Sequence, residues 1–226
     1  MAELARGARL SSPARRGAVS CAPMTKPITL TYFDAPVSRG EECRLALHLA
    51  GLDFEDDRVK FADWPGRKPT TPFGGLPVLT LPGEAPLAHS NAILTLIGRR
   101  HGLHPKDDLE AARHEALMQH CEDLRAHVSP TLRMKDEDEK RRAREQLAAV
   151  YLPAWAGYTE AHLGDGPFVG GAALNVVDLK LHMVVRWFKG GAVDYVPATV
   201  FDAFPKLTRV HDAVRDHAGV KSWYAR

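Results

Sequence analysis

Leu76-Pro77-Val78-Leu79-Thr80-Leu81, a turn at Pro82-Gly83, Pro86-Leu87-Ala88, and then Ser90-Asn91-Ala92-Ile93-Leu94-Thr95-Leu96-Ile97 together decide the fold. The first run reads as a strand that begins at a proline, one of the few places a strand tolerates one. A second short strand follows the turn. Ser90 then stands as an N-cap ahead of apolar residues at helical spacing. Working upstream, residues 27–33 (Pro-Ile-Thr-Leu-Thr-Tyr-Phe) alternate and are rich in β-branched and aromatic types, which predicts a strand. Residues 40–50 place Cys43, Leu47 and Ala50 at helical spacing and stop at Gly51. Residues 54–60 suit another strand, and the Pro/Gly-rich stretch from Trp64 to Gly75 reads as loop. The order is β-α-β-loop-β-β-α.

Downstream of a polar stretch holding Gly102 and Pro105, nearly everything reads helical: 109–129, 137–163 interrupted at Pro153, 175–189, 199–216 with a break at Pro205, and a short tail helix. The start near residue 175 is well signalled: Asn175 caps, Asp178 reaches back to it, and Leu174 staples against Leu179. The expected organisation is a leader over 1–23, an α/β domain over 24–101, a linker over 102–109 and an all-helical domain over 110–226.

The chain has 226 residues, 30 Lys plus Arg against 28 Asp plus Glu, and a net charge of +2. Four arginines and one acid lie in residues 1–23, leaving 26 bases and 27 acids for residues 24–226. The basicity thus belongs to the leader, which reads as a transit peptide or as an extension ahead of Met24. The basic residues form no stripe interleaved with aromatics, so nucleic acid is not an expected partner. No apolar run is long enough to span a membrane. Cys21, Cys43 and Cys121 form no CxxC pair, which excludes a disulfide framework and a zinc ribbon. His114, His120 and His127 lack HExxH spacing, so no metal is expected.

Three features carry chemistry with two meanings each. Ser90 is either a cap alone or part of an anion site formed by the helix's first N–H groups. Leu76-Pro77 is an ordinary strand start or, if the bond is cis, an edge whose backbone pairs with an extended ligand. Tyr32, at the end of the first strand, is a packed aromatic or a hydroxyl donor.

The runs LTYFDAPVSRGEECRLALHLAG, DWPGRKPTTPFGGLPVL, LAHSNAIL and FVGGAALNVVDLKL together resemble cytosolic glutathione S-transferases, most closely the sigma-like, tyrosine-dependent classes, from about residue 27 onward. The resemblance implies an α/β thioredoxin-like domain followed by an all-helical one, and glutathione as co-substrate without a metal. It also implies a homodimer and a cytoplasmic location, unless the leader targets an organelle. Tyr32 matches the tyrosine that hydrogen-bonds the glutathione sulfur, and Arg39 the helper arginine. Trp64 and Lys68 match residues holding the glycyl end. Gly75, Leu76 and Pro77 match the cysteinyl-pairing segment with its cis-proline, and His89-Ser90 the γ-glutamyl carboxylate pair. The implied activity is conjugation of glutathione to a small hydrophobic electrophile, with peroxidase or isomerase side reactions. The alternative is a non-catalytic ligand-binding or structural protein of this fold.

The electrophile pocket is expected between the turn after Tyr32, the helix from Gln119 to Val128 and the C-terminal segment. Three departures stand out. One extra residue between Tyr32 and Arg44 brings Ser38 forward as an alternative thiol activator. His89 replaces the usual Gln, and Gln119 replaces the acid that reaches the partner's γ-glutamyl amine. No cysteine lies in the 32–40 turn, which disfavours the cysteine-dependent classes.

Overall fold

The computed structural model describes residues 27–226; the expected leader over 1–23 lies outside the described residues. The first part runs β1 (Ile28–Phe33), α1 (Ser38–Leu49), β2 (Phe54–Val59), a short α2 (Trp64–Arg67) continuing as a 3-10 turn over Lys68–Thr70, β3 (Val78–Thr80), β4 (Leu87–Ala88) and α3 (Ser90–His101). The sheet order is β2-β1-β3-β4. β1 is parallel to β2, with Tyr32 opposite Arg58, and antiparallel to β3, with Leu30 opposite Leu79. Parallel neighbours need a crossover, which α1 supplies. Leu30, Leu79, Leu45, Leu47, Ile93 and Leu94 are buried together where α1 and α3 pack on the sheet. The Leu76–Pro77 peptide is cis.

The remainder is helical: α4 (Asp108–Val128), a 3-10 turn, α5 (Glu137–Gln146), one π turn (Leu147–Tyr151), α6 (Leu152–Ala161), α7 (Val176–Lys189), α8 (Pro205–Asp216) and α9 (Ala218–Tyr224). The chain is thus a thioredoxin-like α/β unit followed by an all-helical one. Asp107 starts α4 by accepting from the Glu110 N–H at 2.9 Å. Pro153 falls in the first turn of α6, where the preceding π turn accommodates its missing N–H. α7 runs through the centre, buried on nearly every face.

Two expectations need correcting. The Trp64–Gly75 stretch is not all loop: Trp64–Thr70 is helical, and its prolines sit at first-turn positions that cost no hydrogen bond. The last long helix begins at Pro205 rather than 199, because residues 199–204 turn so as to bury Phe201. Its start is held by Glu160, whose carboxylate accepts from the Lys206 and Leu207 N–H groups at 2.9 and 2.8 Å.

The signalled start of α7 is built around Asp178. Its buried carboxylate accepts from the Asn175 N–H and, from the preceding loop, the Val169 N–H, both at 2.7 Å. Replacing it with alanine orphans two donors and the cap at once. Asp178→Ala is expected to lower unfolding free energy by about 2–4 kcal/mol in urea titrations; a loss below about 0.5 kcal/mol would rule out this role.

Candidate functional site

Tyr32 ends β1 with its ring packed on the first turn of α1. A Cβ added at Gly40 would lie 2.0 Å from the ring, so only glycine permits this approach. The turn between them is pinned by the fully buried Arg44. Its guanidinium donates to the Phe33 carbonyl at 3.2 Å, the Ala35 carbonyl at 2.8 Å and the Asp56 carboxylate at 2.9 Å. Ser38 enters α1 with φ of +56°, a left-handed conformation unusual for a residue with a side chain. Its hydroxyl neighbours the Tyr32 phenol. Burial pushes the phenol's pKa up and Arg39 pulls against it, with the net direction upward. Tyr32 therefore stays protonated near neutrality and can only donate to an anion at its hydroxyl.

A cavity of about 500 Å³ lies between this unit and α4, and Arg39, Gly75, Leu76, His89, Ser90 and Gln119 share its wall with Glu122 and Asn91. Five residues assigned to glutathione or catalysis from sequence thus converge. Pro77 is buried behind Leu76. Trp64 and Lys68 stand outside that wall, on the short helical stretch; the Trp64 indole meets Phe33 edge-on at 5.5 Å, and Lys68 is exposed. His89 precedes α3 with φ of +69° and makes no side-chain cap, its ring tilted against Phe73 at 5.2 Å. The N–H groups of Ser90, Asn91 and Ala92 precede the helix's first backbone bond, from Ile93 N–H to the His89 carbonyl at 3.0 Å.

Residues 28–99 match the family model of the glutathione S-transferase N-terminal domain, and residues 122–226 match that of the C-terminal domain. The chain belongs to the glutathione S-transferase family. It is 42% identical over 201 residues to glutathione S-transferase 1 of Ascaris suum, spanning 87% of this chain and 94% of that protein. It is also 28% identical over 194 residues to hematopoietic prostaglandin D synthase of Gallus gallus, spanning 86% and 93%. Among solved structures, prostaglandin synthase D of Nilaparvata lugens shares the fold with a TM-score of 0.79, at 24% identity over 89% of this chain and 98% of that one. As a glutathione S-transferase, the enzyme takes glutathione as co-substrate. Among the described residues, no group of three or more His, Cys, Asp or Glu is arranged to hold a metal, and no helix is long and apolar enough to cross a membrane.

This glutathione S-transferase has a charge cluster that sequence reading missed, buried at Glu42, Arg125 and Lys180 and open toward solvent at Arg39. Arg39 and Glu42 come from α1, Glu122 and Arg125 from α4, and Lys180 from α7. Glu122 is 2.6 Å from Arg39, 2.8 Å from Arg125 and 2.5 Å from Lys180. Glu42 pairs with Arg125 and, at 3.1 Å, with Lys180. Two local signals were available: Glu122 and Arg125 at i,i+3, and a lone lysine inside the apolar run of α7. Cys43 and Cys121 lie beside the cluster, and burial pushes both thiols' pKa values up, Cys121 to about 12, so neither is a reactive thiolate.

A second cavity, of about 510 Å³, has Arg39 in common with the first. Val37 and Ser38 from the turn, Arg125 and Ser129 from the end of α4, and Met183 and Trp187 from α7 form most of its wall. The C-terminal segment reaches this cavity through Arg186, which belongs to its wall. The Trp223 indole N–H donates to the buried Glu41 at 2.7 Å and stacks on Phe54, while Tyr224 accepts from Arg186 at 2.8 Å.

Burial alone would raise the Glu122 pKa, but Lys180, Arg125 and Arg39 together hold it at about 2, below its ordinary 4.5. A depressed carboxylate stabilises the fold above its unfolded pKa, and that contribution is lost as pH falls through the folded value. Glu122→Gln is therefore expected to be less stable than wild type near pH 6 by about 3 kcal/mol, a gap that closes as pH drops from about 4.5 toward 2. Urea midpoints across this range test it; a gap that stays constant would show that Glu122 ionisation is not the source.

Proposed function

We propose that this enzyme transfers the glutathione thiolate to a small hydrophobic electrophile, with Tyr32 as the hydrogen-bond donor that stabilises the thiolate. The observation that carries the reading is the buried Tyr32, behind both cavity walls, whose phenol feels the charge of Arg39, the residue those two walls share. Glutathione lies in the cavity between Leu76 and Ser90, with the γ-glutamyl carboxylate on the first turn of α3 and the cysteinyl backbone paired to Leu76. Gly75 and Pro77 shape that edge, His89 flanks the carboxylate, and Trp64 and Lys68 hold the glycyl end where it leaves the cavity. The electrophile occupies the second cavity.

The class is sigma-like, on the strength of the Tyr-Phe motif ending β1 and the similarity to a vertebrate prostaglandin D synthase. The working unit is a homodimer in the cytoplasm.

The chemistry fits these residue types. A free thiol with a pKa near 8.5 is only about 3% ionised at pH 7. A donor that favours the charged form lowers that pKa, and a phenol with a raised pKa donates without giving up its proton. Reaction then gains from holding thiolate and electrophile side by side. The serine alternative survives in the geometry, because the Ser38 hydroxyl neighbours the phenol. Conjugation to chlorodinitrobenzene separates the two. Tyr32→Phe is expected to lower kcat/KM by about 100-fold, the scale of losing one preorganised donor, and Ser38→Ala by less than about 5-fold. The reverse pattern would move the activating role to Ser38; a wild type that binds glutathione without turnover would mark a non-catalytic member of the fold.

A further inference from the structure

Lys180 lies in the second turn of α7 with no solvent exposure. An ammonium has three donors and no acceptor, and all three directions here are taken. Nζ is 3.1 Å from Glu42, 2.5 Å from Glu122 and 3.2 Å from the Ser90 hydroxyl oxygen. The two carboxylates account for a buried ion pair. The serine contact has a different consequence.

Ser90 opens α3, is only 4% exposed and lines the 500 Å³ cavity. Its hydroxyl has one hydrogen and two lone pairs. Lys180 occupies a lone pair from the protein side, which turns the hydrogen away from the ammonium and toward the cavity. The free N–H groups of the first turn of α3 point into the same place. The cluster as a whole holds three cations (Arg39, Arg125, Lys180) against two carboxylates (Glu42, Glu122), and the cation that touches Ser90 lies behind this anion site.

We propose that Lys180 is a positioning residue for co-substrate binding: it fixes the Ser90 hydroxyl as a donor to the γ-glutamyl carboxylate of glutathione and places positive charge behind it. This rests on the reading that puts that carboxylate at the start of α3. The arrangement reaches the ligand through Ser90, so Lys180 tunes selection for the carboxylate without touching the sulfur.

Removing Lys180 leaves two cations against two carboxylates, a balanced cluster, so Lys180→Met can be examined as a folded protein. A second variant, Glu42→Gln with Lys180→Met, covers the case in which Glu42 left with one partner fails to pack. Calorimetric titration compares glutathione with its analogue lacking only the γ-glutamyl α-carboxylate. Wild type is expected to prefer glutathione by about 30-fold, within the range for a charge-assisted hydrogen bond. Ser90→Ala and either Lys180 variant are each expected to reduce this preference to about 3-fold, and combining Ser90→Ala with Lys180→Met is expected to add little. For the Lys180 variants the affinity for the decarboxylated analogue is expected to stay within about 2-fold of wild type, which a merely structural role would not produce.

If Ser90→Ala loses the preference while the Lys180 variants keep it, or if they weaken both ligands equally, the inference about Lys180 is overturned and the placement of glutathione stands. A wild type with no preference for the carboxylate overturns both together.

Discussion

The sheet unit and the helical unit share an apolar core, and within it one mostly buried constraint fixes their register, the alternation of charges from Arg39 through Glu122, Lys180 and Arg125 to Glu42. Such pairs add little net stability over well-packed apolar residues, because desolvation offsets most of their attraction. Breaking one is nonetheless costly, since the abandoned charge stays buried. The result is specificity of arrangement: α1, α4 and α7 meet in a single register, and the start of α3 is drawn in through Ser90. Arg39, at one end of that alternation, belongs to the wall of both cavities.

The turn after β1 is the second constraint, and it is steric where the first is electrostatic. Arg44 pins the backbone of residues 33–35, Gly40 leaves room for the aromatic ring, and Ser38 accepts a left-handed backbone to complete the corner. Strained residues of this kind persist only where their surroundings over-determine them. Here they hold a phenol in a dry position next to a guanidinium. The environment thus keeps Tyr32 neutral while leaving a positive charge close to where a thiolate would form.

Much of this was legible in the sequence because it is local. The alternation of residues 28–33, the serine opening α3 and the Asn175-to-Asp178 cap depend on neighbours a few residues away, and each element stands within a residue or two of its expected place. The convergence of Arg39, Gly75, Leu76, His89 and Ser90 on one cavity was expected only through resemblance, since nothing in their spacing brings them together. The charge cluster was legible only in fragments, the i,i+3 pair of Glu122 and Arg125 and the lysine of α7, and neither fragment names its distant partners. Lys180 finds Glu42 across 138 residues and Arg125 finds it across 83, and a lysine in an apolar helix does not announce its partner. The helical turn at Trp64–Thr70 escaped notice because prolines read as breakers unless their first-turn position is known. Nothing local says that Trp223 pairs with Glu41, or that Tyr224 meets Arg186 in the wall of the second cavity.

The central claim is that the buried Tyr32 phenol lowers the pKa of the glutathione thiol. The most direct measurement is a pH titration of the thiolate's ultraviolet absorbance for glutathione bound to wild type and to Tyr32→Phe. The account predicts that the wild-type-bound thiol titrates about two units below the free value of about 8.5, and that the phenylalanine variant restores most of that difference. A bound thiol that titrates at the same pH in both proteins, or at the free value in wild type, would contradict it.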